Sequence, residues 1–283
     1  MMSEVPNTVQ ETTPTLSGPQ GGDTHIRRMS RREFTQLLAV LGLTAAAGEL
    51  LKDMFMTHEA PVAQASEVNV KGPYWAMVID LETCIGCERC VHACQATNDT
   101  AEDHLWNVML EEPNIFGKPV FITRPCMHCE NAPCVAVCPV QATFHDDETG
   151  LVQMNYDLCI GCRYCMVACP YGVRVFNWTE NNAPNPQVGV WGEVEVERRP
   201  RGVVEKCTFC NHRLQLAKET GLRPGYDRSV TPACCNICPT SARVFGDLRD
   251  PNSPASKALK GRQAIVLRAN LGTKPRVFYL LPR

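Results

Sequence analysis

Apolar positions in this chain come in short runs, and most of the runs lead into or out of a group of cysteines. Tyr74 to Asp80 (Y-W-A-M-V-I-D) reads as a strand, and Val120 to Thr123 and Leu151 to Asn155 play the same part before two later cysteine groups. Short helices are predicted at Val135 to Val137 and Met166 to Ala168, stopped by Pro139 and Pro170. Asp99 to Phe116 is an excursion between cysteine groups, with Trp106 and Met109 as its packing anchors. Asn177 to Arg201 is rich in Asn, Pro and charge and reads as a surface loop or hairpin, with strand-like alternation over Glu193 to Glu197. A docking surface and a solvated insertion are equally good readings of it. The tail passes from Asp250 through a short helix to a strand at Arg276 to Leu280. The pattern predicts an α+β fold of small strands and short helices with few long apolar runs.

Cysteine supplies what the apolar pattern lacks. Seventeen cysteines stand among 283 residues, in four quartets plus one. Cys159, Cys162, Cys165 and Cys169 are spaced C-x2-C-x2-C-x3-C and followed by Pro170; Cys84, Cys87, Cys90 and Cys94 repeat the spacing in nearly the same words. Cys126, Cys129, Cys134 and Cys138 precede Pro139, and Cys207, Cys210, Cys234 and Cys238 precede Pro239. C-P-V-Q-A-T-F from Cys138 returns as C-P-T-S-A-R-V-F from Cys238, so the chain reads as two ferredoxin-like repeats of two quartets each. Three thiolates so close suit one compact iron–sulfide cluster, and the fourth, expected at the start of a helix, suits a neighbouring one. Sixteen such ligands make four cubane clusters, with the short elements wrapped around them in place of part of a hydrophobic core.

Two other chemistries use many cysteines. Zinc ribbons place cysteine pairs around a longer spacer, and a disulfide framework has no reason to repeat C-x2-C or to place proline after three quartets. A secreted zinc or disulfide scaffold is the remote alternative. Cys235 is the cysteine left over and reads as a small packing residue. His92, His128 and His212 lie in or beside the quartets and read as surface or packing residues. No C-x-x-C-H is present to attach haem. Arg89, Arg163 and Lys206 neighbour the ligands and could raise cluster potentials. A net charge of −2 gives no reason to expect nucleic acid. No nucleophile, general base or substrate pocket is legible, so no catalytic residue is assigned and the chain is not expected to catalyse alone.

The N-terminal region differs in kind. Residues 1 to 25 are polar and read as disordered. S-R-R-E-F-T-Q (Ser30 to Gln36) then precedes an apolar run, Leu37 to Ala47, of signal-peptide length, with a small-residue cleavage site at Ala63-Gln64-Ala65. Residues 1–65 are thus expected to be a disordered N-terminus with an export signal, and 66–283 the cluster-bearing domain. No later segment approaches the length of a membrane span.

The four quartets, A-C-P-Y-G at Ala168 to Gly172, E-K-C-T-F-C at Glu205 to Cys210 and G-D-L-R-D-P-N-S at Gly246 to Ser253 resemble the four-cluster iron–sulfur subunits of the dimethyl sulfoxide reductase family. Among those are the beta subunits of tetrathionate and polysulfide reductases and the iron–sulfur subunit of formate-dependent nitrite reduction. The resemblance covers about residues 74 to 282, and the N-terminal stretch resembles a twin-arginine export signal at Arg31-Arg32. It implies an electron wire with four 4Fe-4S clusters, between a catalytic, molybdenum-containing subunit and an integral membrane subunit that exchanges electrons with quinone. The alternative is the same wire in a membrane quinone complex without molybdenum. It also implies the periplasm or the outer face of the cytoplasmic membrane. By the ferredoxin rule each fourth cysteine joins the other cluster of its pair. The implied ligand sets are Cys84, Cys87, Cys90 with Cys238; Cys207, Cys210, Cys234 with Cys94; Cys126, Cys129, Cys134 with Cys169; and Cys159, Cys162, Cys165 with Cys138. One lobe would then be residues 74–116 with 202–249, the other 117–176, with an insertion at 177–201 and a tail at 250–283.

Overall fold

A computed structural model describes residues 71–283 apart from 114–116, 118 and 181; the expected export signal and cleavage site lie outside the described residues. The strand expected at the start of the domain is β1, Trp75–Asp80, and its Ala76 to Ile79 are all essentially inaccessible. A strand buried on both faces needs neighbours on both edges. β8 (Arg243–Asp247) pairs antiparallel on one edge and β10 (Val277–Leu280) parallel on the other, with β9 (Ala264–Ile265) beyond β10. The period of two divides this sheet. Met77, Ile79, Phe245, Val277 and Tyr279 face the main core, while Val78 and Leu280 face Ala255 on the helix α6, Pro254–Leu259. That helix begins where the sequence provides for it: Ser253 Oγ accepts from the Ser256 amide at 3.1 Å, and Pro254 takes the first turn.

Three two-stranded ribbons complete the sheets. β2 (Val108–Glu112) pairs with β3 (Val120–Arg124), β4 (Thr143–His145) with β5 (Val152–Met154), and β6 (Val175–Phe176) with β7 (Val204–Glu205). The helices are α1 (Arg89–Asn98), α2 (Pro133–Ala136), α3 (Tyr164–Ala168), α4 (Asn211–Thr220) and α5 (Ala233–Asn236). α1 packs on α5 and α2 on α3, so helices of the first and fourth quartets meet, as do those of the second and third. The main core holds eight buried cysteines among its aliphatic and aromatic side chains.

Two local expectations change. The fourth cysteine does not start a helix: Cys169 caps the end of α3, and Cys138 and Cys238 come after α2 and α5 have ended. α1 alone runs through its fourth cysteine, Cys94, to Asn98, because Gln95 stands where the other quartets have a helix-stopping proline. Glu193 to Glu197 forms no strand. The Glu195 amide bonds to Thr97 O at 2.9 Å, and its carboxylate takes His212 Nε2 at 2.8 Å and the Arg213 guanidinium, so the alternation belongs to a strap across α1 and α4. These contacts hold the Glu195 carboxyl down at about 2, through His212 and Arg213 and against the opposing effect of burial. Asn185 Nδ2 bonds to Gln95 O at 3.0 Å, and Arg199 pairs with buried Glu205 at 2.7 Å, so the insertion is tied down at both ends. Trp106 is buried as expected of an anchor, and Met109 packs against the core.

Candidate metal centres

The quartets share one local design. In each, the third cysteine (Cys90, Cys134, Cys165, Cys234) is the second residue of a helix; the first two sit on the loop just before it in the first three quartets, whereas in the fourth Cys207 and Cys210 lead into α4, which separates them from Cys234. In the first and third quartets the loop turns through Gly86 and Gly161 in the left-handed region. A Cβ on Gly86 would lie 2.5 Å from the Phe121 ring, and one on Gly161 2.3 Å from Gly202 O, so both positions require glycine. The matching positions of the other quartets carry His128 and Phe209, also at positive φ. Both rings are buried and lie against each other, tilted by 36° with centroids 4.0 Å apart. Those two inner loops therefore meet ring to ring.

After the fourth cysteine comes a second shared device. Gln141, Gly172 and Ser241 each donate their amide to the carbonyl of the cysteine three residues back, at 3.3 Å, and each has positive φ. These C-P turns reverse the chain and bring the residue five beyond the cysteine (Thr143, Arg174, Arg243) into the buried interior.

Four thiol sets result. Cys84, Cys87, Cys90 and Cys238 line one cavity, and Cys126, Cys129, Cys134 and Cys169 line another. Cys94 faces Cys207, Cys210 and Cys234, and Asn98 Nδ2 lies 3.7 Å from Cys94 Sγ and 4.0 Å from Cys210 Sγ. Cys165 faces Cys159 and Cys138, and the Thr143 amide is 3.4 Å from Cys138 Sγ. In sequence order of their first members these are sets one (Cys84), two (Cys94), three (Cys126) and four (Cys138). Every fourth cysteine thus lies with the other quartet of its pair.

Among the described residues no three His, Cys, Asp or Glu side chains converge on a point where a single metal ion would sit. Zinc would need thiolates at about 2.3 Å from one centre; four thiols set around a shared cavity suit a multi-atom core. Buried donors point the same way. Thr123 Oγ1 and Arg243 Nε beside set one, and Arg174 Nη2 beside set three, have no partner in the protein and are available to the sulfurs of a cluster. No disulfide joins any of the seventeen cysteines.

Burial, the largest influence in each case, pushes the thiols of Cys84, Cys90, Cys94, Cys134 and Cys165 above their ordinary value and Cys129 up to about 12. Metal ligation needs thiolates, so loading these sites releases protons. Cys234 goes the other way: the Cys235 thiol hydrogen-bonds it, lowering Cys234 and holding Cys235 itself far up. Cys235 is half-buried and packs against the main core, as read from the sequence, beside a ligand position. The expected basic neighbours divide. Arg89 and Arg163 are exposed and lie over the rings of Trp191 and Trp178, whereas Lys206 is wholly buried, bonding Val152 O and, at 2.8 Å, Cys207 O. His92 stacks on Trp191, and His212 pairs with Glu195.

Comparison with known proteins gives the same chemistry. A 4Fe-4S dicluster domain matches residues 118–188, and a 4Fe-4S binding domain matches residues 75–96. The chain is 41% identical over 230 residues to the menaquinone reductase iron–sulfur cluster-binding subunit of Nitratidesulfovibrio vulgaris, covering 74% of this chain and 89% of that one. It is 42% identical over 223 residues to a putative dimethyl sulfoxide reductase iron–sulfur subunit of Halobacterium salinarum, covering 73% and 78%. It is 38% identical over 278 residues to the Hdr-like menaquinol oxidoreductase iron–sulfur subunit 1 of Archaeoglobus fulgidus, covering 89% and 97%.

Proposed function

Because the chain belongs to the 4Fe-4S iron–sulfur subunits of the dimethyl sulfoxide reductase family, we propose that it is an exported electron-transfer subunit whose sixteen cysteines hold four clusters in series. The observation that carries this is the exchange of fourth cysteines, which links the quartets in pairs. Sets one and two share Arg243, sets three and four share Arg174, and Cys207 of set two faces Cys126 of set three. These shared neighbours support a serial arrangement of the four sets. Bound there, 4Fe-4S clusters supply one-electron chemistry at potentials the protein adjusts. The chain's own residues position the sulfurs, exclude water from the inner sets and compensate charge.

The ends of the series are the open ones. Cys87 in set one and Cys162 in set four are exposed, while every cysteine of set two is buried. Around set four, Leu158, Ile160, Tyr164, Val167 and Trp178 expose large apolar surface, and Ile85 does so at set one. Such surface beside a redox centre supports docking of partner subunits at both ends. The partners in this reading are a catalytic, molybdenum-containing oxidoreductase and an integral membrane subunit that reacts with quinone. A second reading, a quinone complex without molybdenum, is favoured by the two relatives named for menaquinone and menaquinol.

Anaerobic purification from native membranes tests the proposal. The chain should carry about sixteen iron and about sixteen sulfide, four of each per cluster, and copurify with both partners; molybdenum in the complex separates the first reading from the second. Mainly zinc in the metal analysis would refute it. Export by the twin-arginine route is proposed from Arg31-Arg32 ahead of the short apolar run. Replacing both by Lys should leave cluster-loaded chain in the cytoplasm, and normal accumulation outside it, in cells lacking the partner subunits, would rule this route out.

A further inference from the structure

The buried arginines after two of the three C-P turns form a matched pair. Arg174 stands five residues after Cys169 and Arg243 five after Cys238, in V-R-V-F and A-R-V-F. Both are almost wholly buried, and each guanidinium donates to one side-chain oxygen and one methionine sulfur. Arg174 Nη1 lies 3.2 Å from Thr143 Oγ1 and 3.2 Å from Met154 Sδ; Arg243 lies 3.1 Å from Asn107 Oδ1 and 3.0 Å from Met77 Sδ. Each keeps one N–H without a protein partner.

Among the described residues neither arginine is paired with an Asp or Glu. A guanidinium cannot shed its proton, so a buried one needs negative charge nearby. The thiol sets are what each one faces. Arg243 lines the cavity of set one and also faces Cys94 and Cys234 of set two. Arg174 lines the cavity of set three and touches Thr143, whose amide is on Cys138 Sγ of set four.

We infer that Arg243 and Arg174 are potential-setting residues, each shared by the two clusters of one lobe, so that those two clusters move in potential together. Reducing a cluster adds one electron, and with it one negative charge, to a core enclosed by thiolates. A fixed cation beside that core stabilises the reduced form more than the oxidised one, which raises the potential. One guanidinium between two clusters does this for both. The inference rests on the thiol sets holding clusters, and iron and sulfide content measured on every variant keeps the two questions apart.

The test is a redox titration of the anaerobically purified chain, with dithionite as reductant and each cluster followed by electron paramagnetic resonance. Signals are assigned to lobes with Cys84→Ser and Cys159→Ser. Arg243→Gln should lower the potential of both clusters of sets one and two by at least a tenfold change in the reduced-to-oxidised ratio at fixed poise, about 59 mV for a one-electron couple. The other two signals should stay in place, and Arg174→Gln should give the converse. Arg243→Lys and Arg174→Lys, which keep the charge, should titrate near the wild type. Arg243→Met and Arg174→Met keep the volume of the stem without the charge and serve as second neutral variants. A neutral variant that loads wild-type iron and sulfide with all four potentials unmoved overturns the inference, as does a shift confined to one cluster or a Lys variant that shifts as far as Gln. Should both neutral variants fail to load while the Lys variant loads with wild-type potentials, the need for a cation at that position is upheld.

Discussion

Serine at Cys169 should damage the cluster of Cys126, Cys129 and Cys134 and spare the one held by its own sequence neighbours. Cys169 ends α3, which carries Cys165, yet its sulfur turns to the cavity lined by the second quartet. Cys138 makes the reciprocal move, toward Cys165 and Cys159. Exchange of ligands between the two quartets predicts the distant effect. The variant should lose up to one cluster's worth of iron, about four atoms, and its paramagnetic spectrum should match that of Cys126→Ser and differ from that of Cys159→Ser. If it matches Cys159→Ser instead, each quartet is an independent metal loop and the serial arrangement is wrong.

Ending the chain after Gly202 should abolish the fold. β1 has both of its sheet neighbours, β8 and β10, beyond that point. Met77, Val78 and Ile79 would lose their cover, at about 1.5–3 kcal/mol for each large side chain, against a total stability of about 5–15 kcal/mol for a typical domain. Set two would lose three thiols, and set one would lose Cys238. The second quartet is also held from the tail: the Glu130 amide bonds to Lys274 O at 3.0 Å, the Asn131 amide to Thr273 O at 3.1 Å, and the Arg276 amide to Met127 O at 2.8 Å. Circular dichroism should show no cooperative melting, and iron analysis almost no retained metal. A truncated chain that still melts in one transition with the set-one signal intact would contradict this.

Short-range features were legible because cysteine and proline act locally. The quartets, the strands before them and the short helices follow from spacing and from the missing proline N–H, and the structure shifts those elements by only a few residues. The anchoring role of Trp106 was legible too, since a large aromatic in a polar excursion has few other uses. Long-range placement was not. Arg276 to Leu280 reads as a strand, but nothing local says that it lies parallel to β1 at the far end of the domain. Glu193 to Glu197 shows why alternation alone misleads: Glu195 is spaced to meet Arg213 and His212, and no strand lies alongside. The buried arginines were hidden for another reason. Arg89 and Arg163 lie inside the cysteine motifs and attract attention, but their side chains are exposed and rest on the rings of Trp191 and Trp178. Arg174 and Arg243 lie outside the motifs, and the signal that identifies them is the repeat of R-V-F at equal distance after C-P.

The parallel pairing of β1 with β10 also sets a clock on biosynthesis. Set one begins at Cys84 and is completed by Cys238, and the sheet beneath it closes only with Leu280. At a synthesis rate of about 5–20 residues per second, the first thiols of this set wait on the order of 10 s for the last. During that interval a nascent chain displays reactive thiols and an unpaired apolar strand edge, which is where misassembly starts. The second and third quartets, contiguous between Cys126 and Cys169, complete theirs far sooner. Even so, the second quartet's loop is tied to Thr273, Lys274 and Arg276, so both lobes reach their final form only when the tail has been made.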